Sequence, residues 1–93
     1  MLHHVVLFKK KTGISSTLFL ELVEGLRSLV GVIPEMQNFW LSTNPTEKSN
    51  WDACLKIEFE SQADLDVYSV HESHAKIAHE INKIADVAVF DGF

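Results

Sequence analysis

A phenol and two imidazoles fall within seven residues late in the chain, at Tyr68, His71 and His74. A neutral imidazole can take a proton beside a carbonyl, and a phenol can donate to the oxygen on which charge then develops. On one continuous helix, Tyr68 and His74 would stand about 120° apart around the axis, close enough to share a substrate. Three uses fit the pair: acid/base chemistry, ligand contact without reaction, or hydrogen bonds that pin a helix to a sheet. His71 stands three residues from each and would orient one of them. Far upstream, His4 lies in an alternating apolar stretch, where a histidine either meets a ligand or is a satisfied core residue. His71 and His74 with Glu72 or His4 leave the third metal ligand unspecified, so no metal is assigned. His79 falls on another helix face, and His3 alternates away from His4.

These groups need elements to hold them. Leu2 to Phe8 is rich in β-formers and reads as a strand, with His4, Val6 and Phe8 on one face and His3, Val5 and Leu7 on the other. Both faces are apolar, as in a central strand, and Lys9, Lys10 and Lys11 carry the chain into solvent. Ser15 or Ser16 caps a helix whose stripe is Leu18, Leu22, Leu26, Leu29 and Ile33, widened by Phe19 and Val30. Gly25 inside that stripe suggests a close approach to the sheet, and Pro34 ends the helix. Met36 to Leu41 reads as a second strand, residues 42–50 as an exposed connection, and Trp51 to Phe59 as a third strand. There Trp51, Ala53, Leu55, Ile57 and Phe59 share one face, opposite Asp52, Cys54, Lys56 and Glu58.

Ser61 with Asp64 matches a capping box and opens a helix through Leu65, Tyr68 and Val70. The pattern does not say whether this helix runs through His71 or breaks there. Ala75, Ile77, Ala78, Ile81, Ile84 and Ala85 form a further helical stripe, and Val87 to Phe90 a last short strand.

The resulting order, β-α-β-β-α-β, is that of an α+β ferredoxin-like domain: a four-stranded antiparallel sheet with both helices on one face, spanning residues 1–93. A chain of 93 residues buries only about 60–65% of its unfolded surface, yet 46% of its residues are hydrophobic. Two helices cover one side of four strands, so the apolar set His4/Val6/Phe8 and Ala53/Leu55/Ile57/Phe59 is expected to need a further cover. A second copy supplies it, making a homodimer through the sheet faces.

A net charge of −5 and a pI near 5.4 argue against a nucleic-acid partner. No apolar run approaches the roughly 20 residues of a membrane span, and the N-terminus does not read as a signal peptide. The single cysteine, Cys54, fits a reducing, cytoplasmic setting and has no base partner nearby.

Four segments, in order, resemble the stress-responsive A/B barrel family: His4-Val5-Val6-Leu7-Phe8-Lys9, Val32-Ile33-Pro34-Glu35-Met36, Phe59-Glu60-Ser61, and Tyr68-x-x-His71-x-x-His74. The resemblance implies a dimeric α/β barrel. One enzymatic relative is a plant polyketide cyclase that closes its substrate by aldol condensation. On that likeness Tyr68, His74 and His4 are the catalytic positions. Two positions depart from the pattern: Ala53 replaces a pocket histidine of the cyclase, and Glu72 replaces the proline usual in H-P-x-H.

The expected site is therefore a cavity edged by Tyr68, His74 and His4, with Val6, Phe8, Leu22, Leu26, Leu55, Ile57 and His71 against a small hydrophobic or aromatic carbonyl ligand. Proton-transfer chemistry of this kind, whether lyase, cyclase or monooxygenase-like, calls for no cofactor. The other class of reading is a stress-linked structural or interaction module without a ligand.

Overall fold

The computed structural model describes residues 1–93. The first strand, β1 (Leu2–Lys10), outruns its apolar stretch because it has partners on both sides. The Lys10 N–H donates to the Asp52 carboxylate, and Lys10 sits in register with Ala85. Gly13, at φ +86°, then turns the chain into α1 (Ser16–Glu24), where the Ser15 side chain accepts the Leu18 N–H.

The helix does not continue evenly to Pro34. At Gly25 it tightens into a 3₁₀ segment, Gly25–Leu29. A Cβ at Gly25 would meet nothing within 4 Å, so the expected close approach to the sheet is absent. The buried face is Phe19, Val23, Leu26, Leu29 and Ile33, while Leu18 and Val30 are exposed. In the first turns the buried face therefore lies one residue beyond the expected Leu18 and Leu22. A step from 3.6 to 3 residues per turn at Gly25 lets both Val23 and Leu29 face inward.

Strands β2 (Gln37–Ser42) and β3 (Ala53–Phe59) pair antiparallel, with a register shift between Gln37 and Trp40 where Asn38 takes a left-handed φ of 51°. Trp51 lies outside β3. The chain then forms α2 (Gln62–Val70), capped by Ser61, and α3 (Glu72–Ile84), and passes directly into β4 (Ala85–Gly92). The last strand is longer than Val87 to Phe90 because β1 offers it partners from His3 to Lys10.

Sheet order is β2-β3-β1-β4, every neighbouring pair antiparallel, which makes β1 and β3 central. This is the ferredoxin-like arrangement expected. One expectation about cover is overturned. Leu2, His4, Val6 and Phe8, with Ala53, Leu55, Ile57 and Phe59, are all buried within the single chain. The helical layer covers this face through Phe19, Val23, Leu26, Leu65, Tyr68, Ile81 and Ile84. The face left open is the other one, carrying His3, Val5 and Leu7, Cys54 and Lys56, Trp40 and Phe90. Trp40 is half exposed and Phe90 about two-thirds exposed, with Lys56 Nζ 6.0 Å from the Trp40 ring centre.

Candidate functional site

The helix breaks at His71. That residue is extended (φ −60°, ψ 132°) and serves α2 as C-cap and α3 as N-cap. Its Nδ1 accepts the Ser73 N–H at 3.1 Å, and its own N–H donates to the Tyr68 carbonyl at 3.2 Å. The corner thus forms without the family's proline. Glu72 occupies the first position of α3, where a carboxylate favours the positive end of the helix dipole.

The break changes how Tyr68 and His74 meet. They belong to different helices, and their rings face each other across the corner with centres 4.2 Å apart, tilted by 41°. The 120° separation of a continuous helix does not apply. Tyr68 is almost fully buried, and its ring also lies 5.3 Å from Phe59 and 5.7 Å from His4. Burial pushes the Tyr68 phenol well above its usual range, so it remains a donor at any physiological pH. Its hydroxyl has no side-chain or backbone partner in the chain, yet no enclosed side-chain polar atom lacks one, so this oxygen opens onto free volume.

Partner chemistry assigns the tautomers of His74 and His71. His74 Nδ1 lies 3.2 Å from the Ser69 carbonyl, which can only accept, so Nδ1 carries the hydrogen and Nε2 is the basic nitrogen. That contact also satisfies one of the carbonyls left open at the end of α2. Desolvation lowers the His74 pKa below 6.5; the Ser69 bond opposes this, and the fields of His4 and His71 add to it. The positive end of α3 acts in the same direction. His74 is therefore a neutral base at pH 7. His71 is the opposite tautomer, with Nδ1 as acceptor.

His4 is the one buried polar residue of the core, and its Nδ1 contacts Asp91 Oδ1 at 2.5 Å. The pairing of β1 with β4 sets His4 directly opposite Asp91. Asp91 lies just past the Val87 to Phe90 stretch expected as the last strand, within the longer β4. A line of side chains results: Asp91, His4, Tyr68, His74.

This line borders a cavity of about 350 Å³ between α3, β1 and β4, nine of whose 13 lining residues are hydrophobic. His4, Val6, Phe8, Leu26, Leu55, Tyr68 and His74 all line it. Leu22, Ile57 and His71 do not. Leu22 packs beside the core on the helix, Ile57 is sealed beneath the helical layer, and His71 is spent on capping. Ser69, Ala78, Ile81, Asn82, Val87 and Val89 line the cavity unforeseen. Val87 and Val89 are exposed where β4 borders the cavity. A register of β4 against β1 was the missing signal. No three His, Cys, Asp or Glu side chains converge as a metal site, and burial raises the Cys54 thiol on the opposite sheet face.

Comparison with known proteins places this geometry among solved relatives. A dimeric ferredoxin-like protein of unknown function from Bacteroides fragilis shares 20% identity with a TM-score of 0.84, covering 98% of this chain and 93% of its own. A crystal structure of an Arabidopsis thaliana protein shares 26% with a TM-score of 0.83, covering 100% and 94%. Hydroxynitrile lyase from Passiflora edulis shares 16% with a TM-score of 0.84, covering 98% and 90%. No curated protein matches the chain. No helix is long and apolar enough to cross a membrane. The family model for the stress responsive A/B barrel domain matches residues 2–93, and the chain belongs to that family.

Proposed function

We propose that this protein is a homodimer whose protomers each bind a small hydrophobic or aromatic carbonyl compound and shift a proton beside its carbonyl. The observation that carries this reading is the close pairing of the Tyr68 and His74 rings on the wall of an apolar cavity. His74 Nε2 takes a proton from the carbon next to the carbonyl. The electron pair moves onto the oxygen, and the Tyr68 O–H donates to it. Return of the proton to the carbon completes the step; in the alternative, as in polyketide cyclisation, that carbon attacks a second carbonyl, and the new alkoxide takes the proton back from His74 Nε2.

Val6, Phe8, Leu26 and Leu55 supply the greasy wall, and the volume falls within the range of small-molecule sites. His4, held by Asp91, backs the Tyr68 ring and positions it. The chemistry draws on these side chains without a cofactor. The open sheet face gives the dimer its surface, in keeping with the dimeric neighbours.

Solvent deuterium exchange at the α-carbon of acetophenone, followed by NMR, tests the reading. His74→Gln should slow the enzyme-dependent rate by about a hundredfold or more. Tyr68→Phe should lower turnover more than affinity. If neither aromatic nor alkyl ketones bind, the interaction-module reading takes its place.

A further inference from the structure

We infer that the cavity is polarised along its length and takes an elongated carbonyl compound: carbonyl at the Tyr68–His74 end, apolar middle, and a second hydrogen-bonding group at the far end, read by Asn82. This deepens the reading above and rests on it. Three of the four polar lining residues, His4, Ser69 and His74, gather at one end around the Tyr68 phenol. The Ser69 hydroxyl donates its hydrogen to the Leu65 carbonyl, so the free donors there belong to the phenol and the imidazoles.

The direction of the cavity follows from topology. Helix α3 runs into β4 without a loop, Ala85 pairs with Lys10, and the Lys11 N–H donates to the Ile84 carbonyl at 2.9 Å. The C-terminal end of α3 is therefore held at the Phe8 end of β1, while its N-terminal end carries His74 beside Tyr68 and, through it, His4. Two independent lengths agree. Along β1, His4 to Phe8 spans four residues, about 13 Å. Along α3, His74 to Asn82 spans eight residues, about 12 Å. Between the ends the lining is apolar: Val6, Leu26, Leu55, Ile81 and Val89.

Phe8 and Val87, which are paired across the strands, form the far wall, and Asn82 stands at its rim. Asn82 is exposed, and its amide makes no hydrogen bond within the chain, so both its donor and its acceptor are free for a ligand. Its place two helical turns beyond His74 puts it on the His74 side of α3, with Ala78 between them.

Binding of methyl ketones from butanone to dodecanone, measured by calorimetry on the intact protein, tests the polarity. Affinity should rise roughly fourfold per methylene and then flatten near decanone, as the tail reaches the rim. A terminal hydroxyl on the decanone should tighten binding by roughly three- to tenfold over the plain tail. Asn82→Leu should reverse that preference, and because Asn82 is exposed the variant should keep its circular dichroism and melting profile. A rise that never flattens, affinity that falls beyond butanone, or an Asn82→Leu protein that still prefers the hydroxyl would overturn the inference. In each of these cases, α-proton exchange that still depends on Tyr68 and His74 means the proton-transfer reading stands and only the polarity fails. Loss of all ketone binding takes down both.

Discussion

The two faces of β1 are nearly equal in hydrophobicity and opposite in fate. Its even-numbered residues Leu2, His4, Val6 and Phe8 are each at most 8% exposed, sealed by the chain's own helices. Its odd-numbered neighbours His3, Val5 and Leu7 are only half covered. The closed face holds a polar residue, His4, because Asp91 satisfies it; the open face holds valine and leucine that nothing in the chain seals. Composition along a strand therefore does not say which side the helices take. The difference also separates two roles: the closed side borders the cavity, and the open side is the surface proposed for a second copy.

The contrast makes unequal demands on substitutions. The largest effect is expected at Phe59, fully buried and in contact with the rings of His4 and Tyr68. Phe59→Ala should lower stability by about 3–5 kcal/mol in urea unfolding and loosen the Tyr68 ring. On the open face, Leu7→Glu should leave secondary structure intact. Sedimentation at micromolar concentration should give a monomer of 10.5 kDa for this variant and a dimer for the parent. A parent that itself sediments as a monomer would remove the proposed use of that face.

A smaller effect is expected from pH. Because the folded His74 has a pKa below its ordinary 6.5, the unfolded chain binds the extra proton first as pH falls. Its contribution is fully present above about 6.5 and is lost as pH drops from there through the folded value. Urea midpoints measured across that window should decline for the parent and decline less for His74→Gln. The smallest effect is expected at Ser61→Ala, which leaves the Asp64 N–H without its cap and should cost about 1 kcal/mol. Since α2 carries Tyr68, that loss should appear without any change in the open face.

Much of this architecture was legible along the chain. Alternation in β1 and β3 is a local property of the backbone, since successive side chains must point to opposite sides. The Ser61 cap is equally local, because a side-chain oxygen three residues from an N–H can reach it whatever the rest of the chain does. Element order, and with it the ferredoxin-like sheet, follows from such signals.

Contacts between distant segments obey no such period. Asp91 meets His4 only because β4 returns beside β1, 87 residues on, in one particular register. Tyr68 meets His74 because His71 breaks the helix and turns α3 back over the sheet, which the spacing Y-x-x-H-x-x-H leaves open. Which face of β1 is sealed depends on where three helices pack, and packing is settled by the volume and shape of the whole set of side chains at once. Residue types and local periods were thus written in the chain; the cavity, its partners and its direction came into being when the segments met.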